Sequence, residues 1–137
     1  MTTLVFGRDE EVAKFVGRLM GREFVSPFTA IGVEEQGQLC GGVIFNVFTG
    51  PDVQISVAGF RCWRRGVFRA LAHYVFVQLG CVRCSITVRA SDTYTQIQAK
   101  KFGFQIEGIK RLGFGDQDAI IFGLLASECR WLEALTH

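Results

Sequence analysis

The chain has 137 residues, room for one domain with one core and one cleft. Hydrophobic residues make up 49 %, thirteen of them phenylalanine, so either the core is rich in aromatics or an apolar surface meets a partner. Fifteen Lys plus Arg against thirteen Asp plus Glu leave a net charge of +2, too small a basic excess for a protein that lives on nucleic-acid phosphates.

In chain order, TLVFG reads as a short first strand. DEEVAKFVGRLMG follows as a helix, with acids in its first turn, Val12, Phe15, Val16, Leu19 and Met20 at helical spacing, and Gly21 as its stop. FTAIGVEEQGQLCGGVIFNVF gives two strands around the polar turn Glu34 to Gln38. DVQISVAG is the next strand, and its Ala58–Gly59 end signals a bulge or a close backbone approach. The spacing predicts a helix from about Val67 to Leu79 that stops at Gly80, then a strand from Val82 to Arg89. Ser91 or Asp92 caps a helix through Lys101, Gly103 ends it, and FQIEGIKRLGF and DAIIFGLLA form a final hairpin around Gly115–Asp116. The order is β-α-β-β-β-α-β-α-β-β, an α/β (α+β) fold in a single domain, 1–137. The pair of strands joined through the helix at 67–79 must be parallel.

No signal peptide shows at the N-terminus, and the longest apolar run near the end, AIIFGLLA, is too short to span a bilayer, so a cytoplasmic protein without a membrane partner is expected. Five cysteines without framework spacing suit a reducing compartment. Cys81 and Cys84 form a C-x-x-C at the start of a strand with no second pair for zinc, so buried inert thiols and no metal site are expected.

The chemistry concentrates at FRCWRRGVF. A strand followed by an arginine-rich glycine turn and a helix places backbone N–H groups and positive charge where an anionic cofactor would sit. That context, the element order and the helix ending in KKFGFQIEG resemble the GCN5-related N-acetyltransferases (GNAT), in particular the branch that acetylates ribosomal proteins and other N-termini. HYVFVQLGC is similar to small acetyltransferase-like proteins of bacteriophages and prophages.

The resemblance implies a mixed, mostly antiparallel sheet whose central parallel pair splays apart, with acetyl-CoA in the gap and its diphosphate on a Q/R-x-x-G-x-G/A turn. That turn falls on Trp63, Arg64, Arg65, Gly66, Val67 and Phe68. Trp63 replaces the usual Gln or Arg, and Phe68 replaces the second small residue, where a benzyl group can fill the phosphate space. Arg64, Arg65 and Arg69 would supply charge-assisted contacts. Backbone N–H groups near Ala58 and Phe60 would hold the pantetheine and the oxyanion.

No carboxylate lies on the fourth strand, which offers Gln54 and Ser56. Glu34, Glu35 and Glu107 are the remaining acids for the general base, or are surface carboxylates. The family's usual tyrosine position, four residues before Gly103, holds Ala99. Asp92-x-x-Thr95 occupies the N-x-x-S positions of the N-terminal branch, which makes Thr95 a candidate for the leaving thiolate and Asp92 a cofactor neighbour. Tyr94 has the better acidity but stands off the Ala99 face.

The implied activity is transfer of an acetyl group from acetyl-CoA to a primary amine, a protein or peptide terminus rather than an enclosed small molecule, because the short link after the first helix leaves the groove open. A degenerate binding or assembly module without CoA turnover is the alternative. A flavin- or nucleotide-binding domain is opposed by the absence of G-x-G-x-x-G. The apolar AIIFGLLA and the amphipathic ECRWLEAL either fold back on their own sheet or make a homodimer through Phe122, Trp131 and Leu132.

Overall fold

In the computed structural model, described over residues 2–132, the chain forms a seven-stranded sheet with helices on both faces. The elements are β1 (Thr2–Phe6), α1 (Asp9–Met20), β2 (Thr29–Glu35), β3 (Gln38–Asn46), β4 (Gln54–Gly59), α2 (Arg65–Ala72), β5 (Arg83–Arg89), α3 (Thr93–Lys101), β6 (Gln105–Lys110) and β7 (Ala119–Leu125). The strand order is β1-β2-β3-β4-β5-β7-β6, and every pair is antiparallel except β4 with β5.

The helices start and stop for local reasons. Asp9, Glu10 and Glu11 crowd the first turn of α1, where the helix dipole favours negative charge, and Gly21 closes it at φ 68°. Asp92 caps α3 by accepting from the Thr95 N–H at 3.0 Å. The helix expected to run straight to Leu79 instead changes pitch. After Ala72 it widens into a π-helical segment, His73–Gln78, closed by Leu79 N–H to the Tyr74 carbonyl at 2.8 Å. Tyr74 is tied there, its hydroxyl 2.6 Å from the Thr29 hydroxyl and its ring edge-on to Phe45.

Two apolar clusters fix the faces. On one side Val12, Ala13 and Val16 of α1 pack with Ala30 and Ile44, and Ala58 joins them. On the other, Val67, Phe68, Leu71 and Val75 pack with Val33, Val43, Phe45 and Ile55, and Ala99 and Phe104 extend the layer under α3. Side chains alternate along a strand, so β4 shows Ser56 and Ala58 to α1, and Ile55 and Val57 to α2.

The C-terminal strand is covered by its own chain. β7 is an interior strand between β5 and β6, which explains why it is apolar on both faces. Phe122 is fully buried, and Trp131 is buried with its Nε1–H donating to the Phe102 carbonyl at 3.0 Å. Two of the three residues expected at a dimer interface, Phe122 and Trp131, are therefore used inside the protomer, and the third, Leu132, packs on the same core. The segment after Leu132 lies outside the described residues. Among the described residues, no helix is long and apolar enough to cross a membrane.

Candidate active site

The parallel pair separates within two residues. Gln54 faces Ser85 and Ile55 faces Ile86, and the ladder ends there although both strands continue, to Gly59 and Arg89. The gap becomes a cleft of about 680 Å³. Its walls include Ser56 to Gly59, Ile86 to Arg89, Asp92, Tyr94 and Thr95 at the start of α3, Met20 at the end of α1 and Arg22 just after it, and Phe114 from the β6–β7 loop. Trp63 lines this cleft and also a more open basic groove with Arg64, Arg65, Arg69, Lys101 and Arg130, so the two adjoin at that side chain, beside the glycine turn.

The turn offers an anion site. Phe68 N–H makes the first helical bond, to the Arg64 carbonyl at 3.0 Å, which leaves the amides of Arg65, Gly66 and Val67 unspent, and Arg64 provides no side-chain cap. A Cβ built on Gly66 meets nothing within 4 Å. Among the described residues no carboxylate forms a salt bridge with Arg64, Arg65 or Arg69.

Phe68 does not obstruct this site. It is 0 % exposed and faces the core, stacked 5.1 Å from Trp63 and 4.5 Å from Phe102. The expected filling of the phosphate space, and a direct side-chain contact to a cofactor, are both excluded by that burial. Trp63 is the outer layer of the same stack and anchors the turn.

The amides fall one residue away from those expected. Phe60 N–H donates to the Cys40 carbonyl at 2.7 Å, and Ala58, opposite Gly42, points its N–H the same way by the alternation of an antiparallel ladder. The N–H groups that look into the gap are those of Val57 and Gly59, beyond the last β4–β5 pair. Gly59, at φ 96°, permits a close approach of backbones, since a Cβ there would collide with the Cys40 carbonyl oxygen. That approach matches the Ala58–Gly59 expectation.

Glu107 is not in the cleft. It occupies the bulge between Ile106 and Gly108, and its carboxylate lies where Gly123 lacks a Cβ. There it accepts from Arg83 at 2.6 and 3.1 Å, at the opposite end of β5. This hydrogen-bonded pairing also raises the pKa of Arg83. Glu34 and Glu35 are engaged as well, with Arg8 at 2.9 Å and with Arg61. Tyr94 and Thr95 line the cleft with Asp92, and Tyr94 is 63 % exposed. Cys62, Cys81 and Cys84 are buried, and burial pushes the Cys62 thiol up to about 12, so none of the three is a thiolate near neutrality.

A second cavity of about 490 Å³ lies between β2 and α2; Asp9 accepts there from the Ala30 N–H and Tyr74 pairs with Thr29, and the other polar groups in its wall are the side chains of Arg69, His73 and Gln78. The cleft, by contrast, holds unspent amides.

Neither a protein-family model nor a curated protein matches the sequence. Solved structures do match in fold. A probable acetyltransferase superposes with TM-score 0.64 at 21 % identity, over 74 % of this chain and 62 % of that one. Spermidine N-acetyltransferase from Vibrio cholerae, in complex with CoA and spermine, gives 0.74 at 14 % identity, over 93 % and 96 %. IAA acetyltransferase from Bacillus cereus gives 0.74 at 13 %, over 91 % and 99 %. The chain has the GNAT fold, a mostly antiparallel sheet with one splayed parallel pair.

Proposed function

We propose that the protein is an acyl-CoA-dependent N-acetyltransferase of the GNAT family, which moves an acetyl group from acetyl-CoA to a primary amine. One observation carries the reading: the splay of β4 from β5 opens a cleft lined by residues from both faces of the sheet, and at Trp63 that cleft adjoins the groove of an uncapped, arginine-flanked turn. The structures that share the fold include acetyltransferases, one of them with CoA bound, which supports it.

In this reading the diphosphate rests on the amides of Arg65, Gly66 and Val67, with Arg64, Arg65 and Arg69 beside it. The thioester carbonyl lies along β4, where the Val57 and Gly59 N–H groups stabilise the oxyanion. The amine enters from the α1 face, attacks the carbonyl carbon, and the C–S bond breaks. Tyr94, whose phenol lines the cleft, is the hydroxyl suited to protonate the leaving thiolate. Thr95 is the weaker acid, its N–H held by Asp92.

The loop between α1 and β2 contains no helix, so the acceptor mouth is uncovered and admits a chain terminus as well as a free amine. The spermidine enzyme of the same fold is named for a small acceptor.

Thermal denaturation with CoA tests the donor site. At a ligand concentration one hundred times Kd the fold gains about 2.7 kcal/mol. No shift at millimolar CoA, with no thiol release from acetyl-CoA and mixed amines, would instead make the protein a binding module on this fold.

A further inference from the structure

If the donor enters from the α2 side, as the proposed function requires, the other mouth selects the amine. Its walls belong to the face of the sheet that α1 covers. Alternation puts Thr87 and Arg89 on that face, since Ile86 and Val88 join the core under α2 and α3. Arg22 reaches the same mouth from the turn after α1.

The charged residues lining the cleft are Arg22, Arg89 and Asp92. Asp92 is committed to α3: its Oδ1 accepts from the Thr95 N–H, and the helix dipole offsets its charge. Arg22 has no salt bridge among the described residues, and its guanidinium lies 4.3 Å from the centre of the Phe24 ring. Arg89 lies 4.4 Å over Phe114 and meets Asp116 at 3.3 Å, through an aspartate side chain that is 74 % exposed and weakly held. Arg22 and Arg89 thus make the mouth cationic, Arg89 resting on Phe114 in the cleft wall and Arg22 on Phe24 in the neighbouring pocket that Arg22 also borders. A polyamine would be repelled there, whereas a guanidinium fork fits a carboxylate by two parallel hydrogen bonds.

We propose that the acceptor is a small amine that carries its own carboxylate, an amino acid or short ω-amino acid, with the carboxylate held by Arg22 and Arg89. The same two charges disfavour an ammonium at this mouth, so the amine loses its first proton to water more readily. They do by electrostatics what a carboxylate on β4 would do by proton abstraction. The neutral nitrogen then forms the C–N bond, the C–S bond breaks with its electron pair on sulfur, and the second amine proton ends on that sulfur through Tyr94 or water. The products are the N-acetylated acid and CoA.

The test separates this inference from the one beneath it. CoA binding to the wild-type chain is measured first by calorimetry; no binding there ends the acetyltransferase reading, and this proposal with it. The CoA-saturated protein is then titrated with glycine, β-alanine and γ-aminobutyrate, with their amides, and with spermidine. The expected result is at least about a tenfold preference for one of the acids over its amide, a step worth about 1.4 kcal/mol, and spermidine weakest. Arg22→Met and Arg89→Met each bring the acid-to-amide ratio toward one, and Arg→Lys at either position restores part of it. Arg22 is exposed, so Arg22→Met decides the matter even if the Arg89 variant fails to fold. With CoA bound, spermidine binding as tightly as the acids, binding by none of the acids, or a ratio unchanged in Arg22→Met overturns the proposal and leaves the acetyltransferase reading standing.

Discussion

Arg83 and Arg89 stand at the two ends of β5, on the same face of the sheet, in opposite circumstances. Arg83 is clasped by Glu107 at 2.6 Å and Asp52 at 3.3 Å, where β4 and β5 are still paired. Arg89 opens on the cleft, where the pair has separated. One strand therefore has a structural end and a chemical end, roughly 20 Å apart at about 3.3 Å per residue. The closed end fixes β4 against β5, and the open end makes use of their divergence. A charged residue is read correctly only once its end is known.

The largest effect expected is at the floor of the open end. Phe68→Ala removes the middle of the Trp63–Phe68–Phe102 stack and should cost about 3–5 kcal/mol in chemical denaturation. A small loss accompanied by tighter CoA binding would instead mean that Phe68 faces the phosphate site. Next is the closed end: Gly123→Ala puts a methyl where the Glu107 carboxylate lies, the flexible Glu107 side chain swings off Arg83 to make room, and stability should fall by no more than about 1 kcal/mol. Because the ends are far apart, CoA affinity in that variant should stay within about twofold of wild type.

Glu107→Gln sharpens the contrast. Its pairing with Arg83 is about one-third exposed, so stability should fall by no more than about 1 kcal/mol, and kcat/KM for acetyl transfer should not change. A large loss of kcat with normal stability would return Glu107 to the chemistry. The smallest effect near neutral pH belongs to the buried thiols, Cys62 in the open-end turn and Cys84 on β5. Burial raises both pKa values, so the unfolded chain ionises first as pH rises past 9.0. Their contribution is fully present below that pH and is lost on the way to about 12, the pKa of Cys62. At pH 8 neither thiol should react with iodoacetamide in the folded protein, whereas rapid alkylation of Cys62 would show that the turn opens.

Much of this fold could be read locally. Gly21, Asp92 and Gly103 mark helix ends with their own chemistry, and the strand–turn–helix at Gly66 identifies where the parallel pair must cross over. What the sequence could not yield depends on partners distant in the chain. Phe68 faces inward because Trp63 and Phe102 enclose it, and no periodicity within an eight-residue helix reveals that. Glu107 stands over Gly123 because a bulge shifts the register of β6 on β7. Phe122 looked like an interface residue because β7's interior place in the sheet is a matter of strand order. The free amides at Val57 and Gly59 were missed by one residue. The Phe60–Cys40 bond gives the phase of the ladder, and that phase is set by pairing, not by composition.

The central claim is that CoA occupies the slot between β4 and β5 and rests on the turn. Backbone amide NMR during a CoA titration tests it without altering the protein. The account predicts large shifts at Val57, Gly59, Gly66 and Val67, with Ala58 and Phe60, whose amides point to β3, shifting less and Glu107 unmoved. Shifts confined to the cavity around Phe6, Thr29 and Tyr74, or no shifts at saturating CoA, would contradict it.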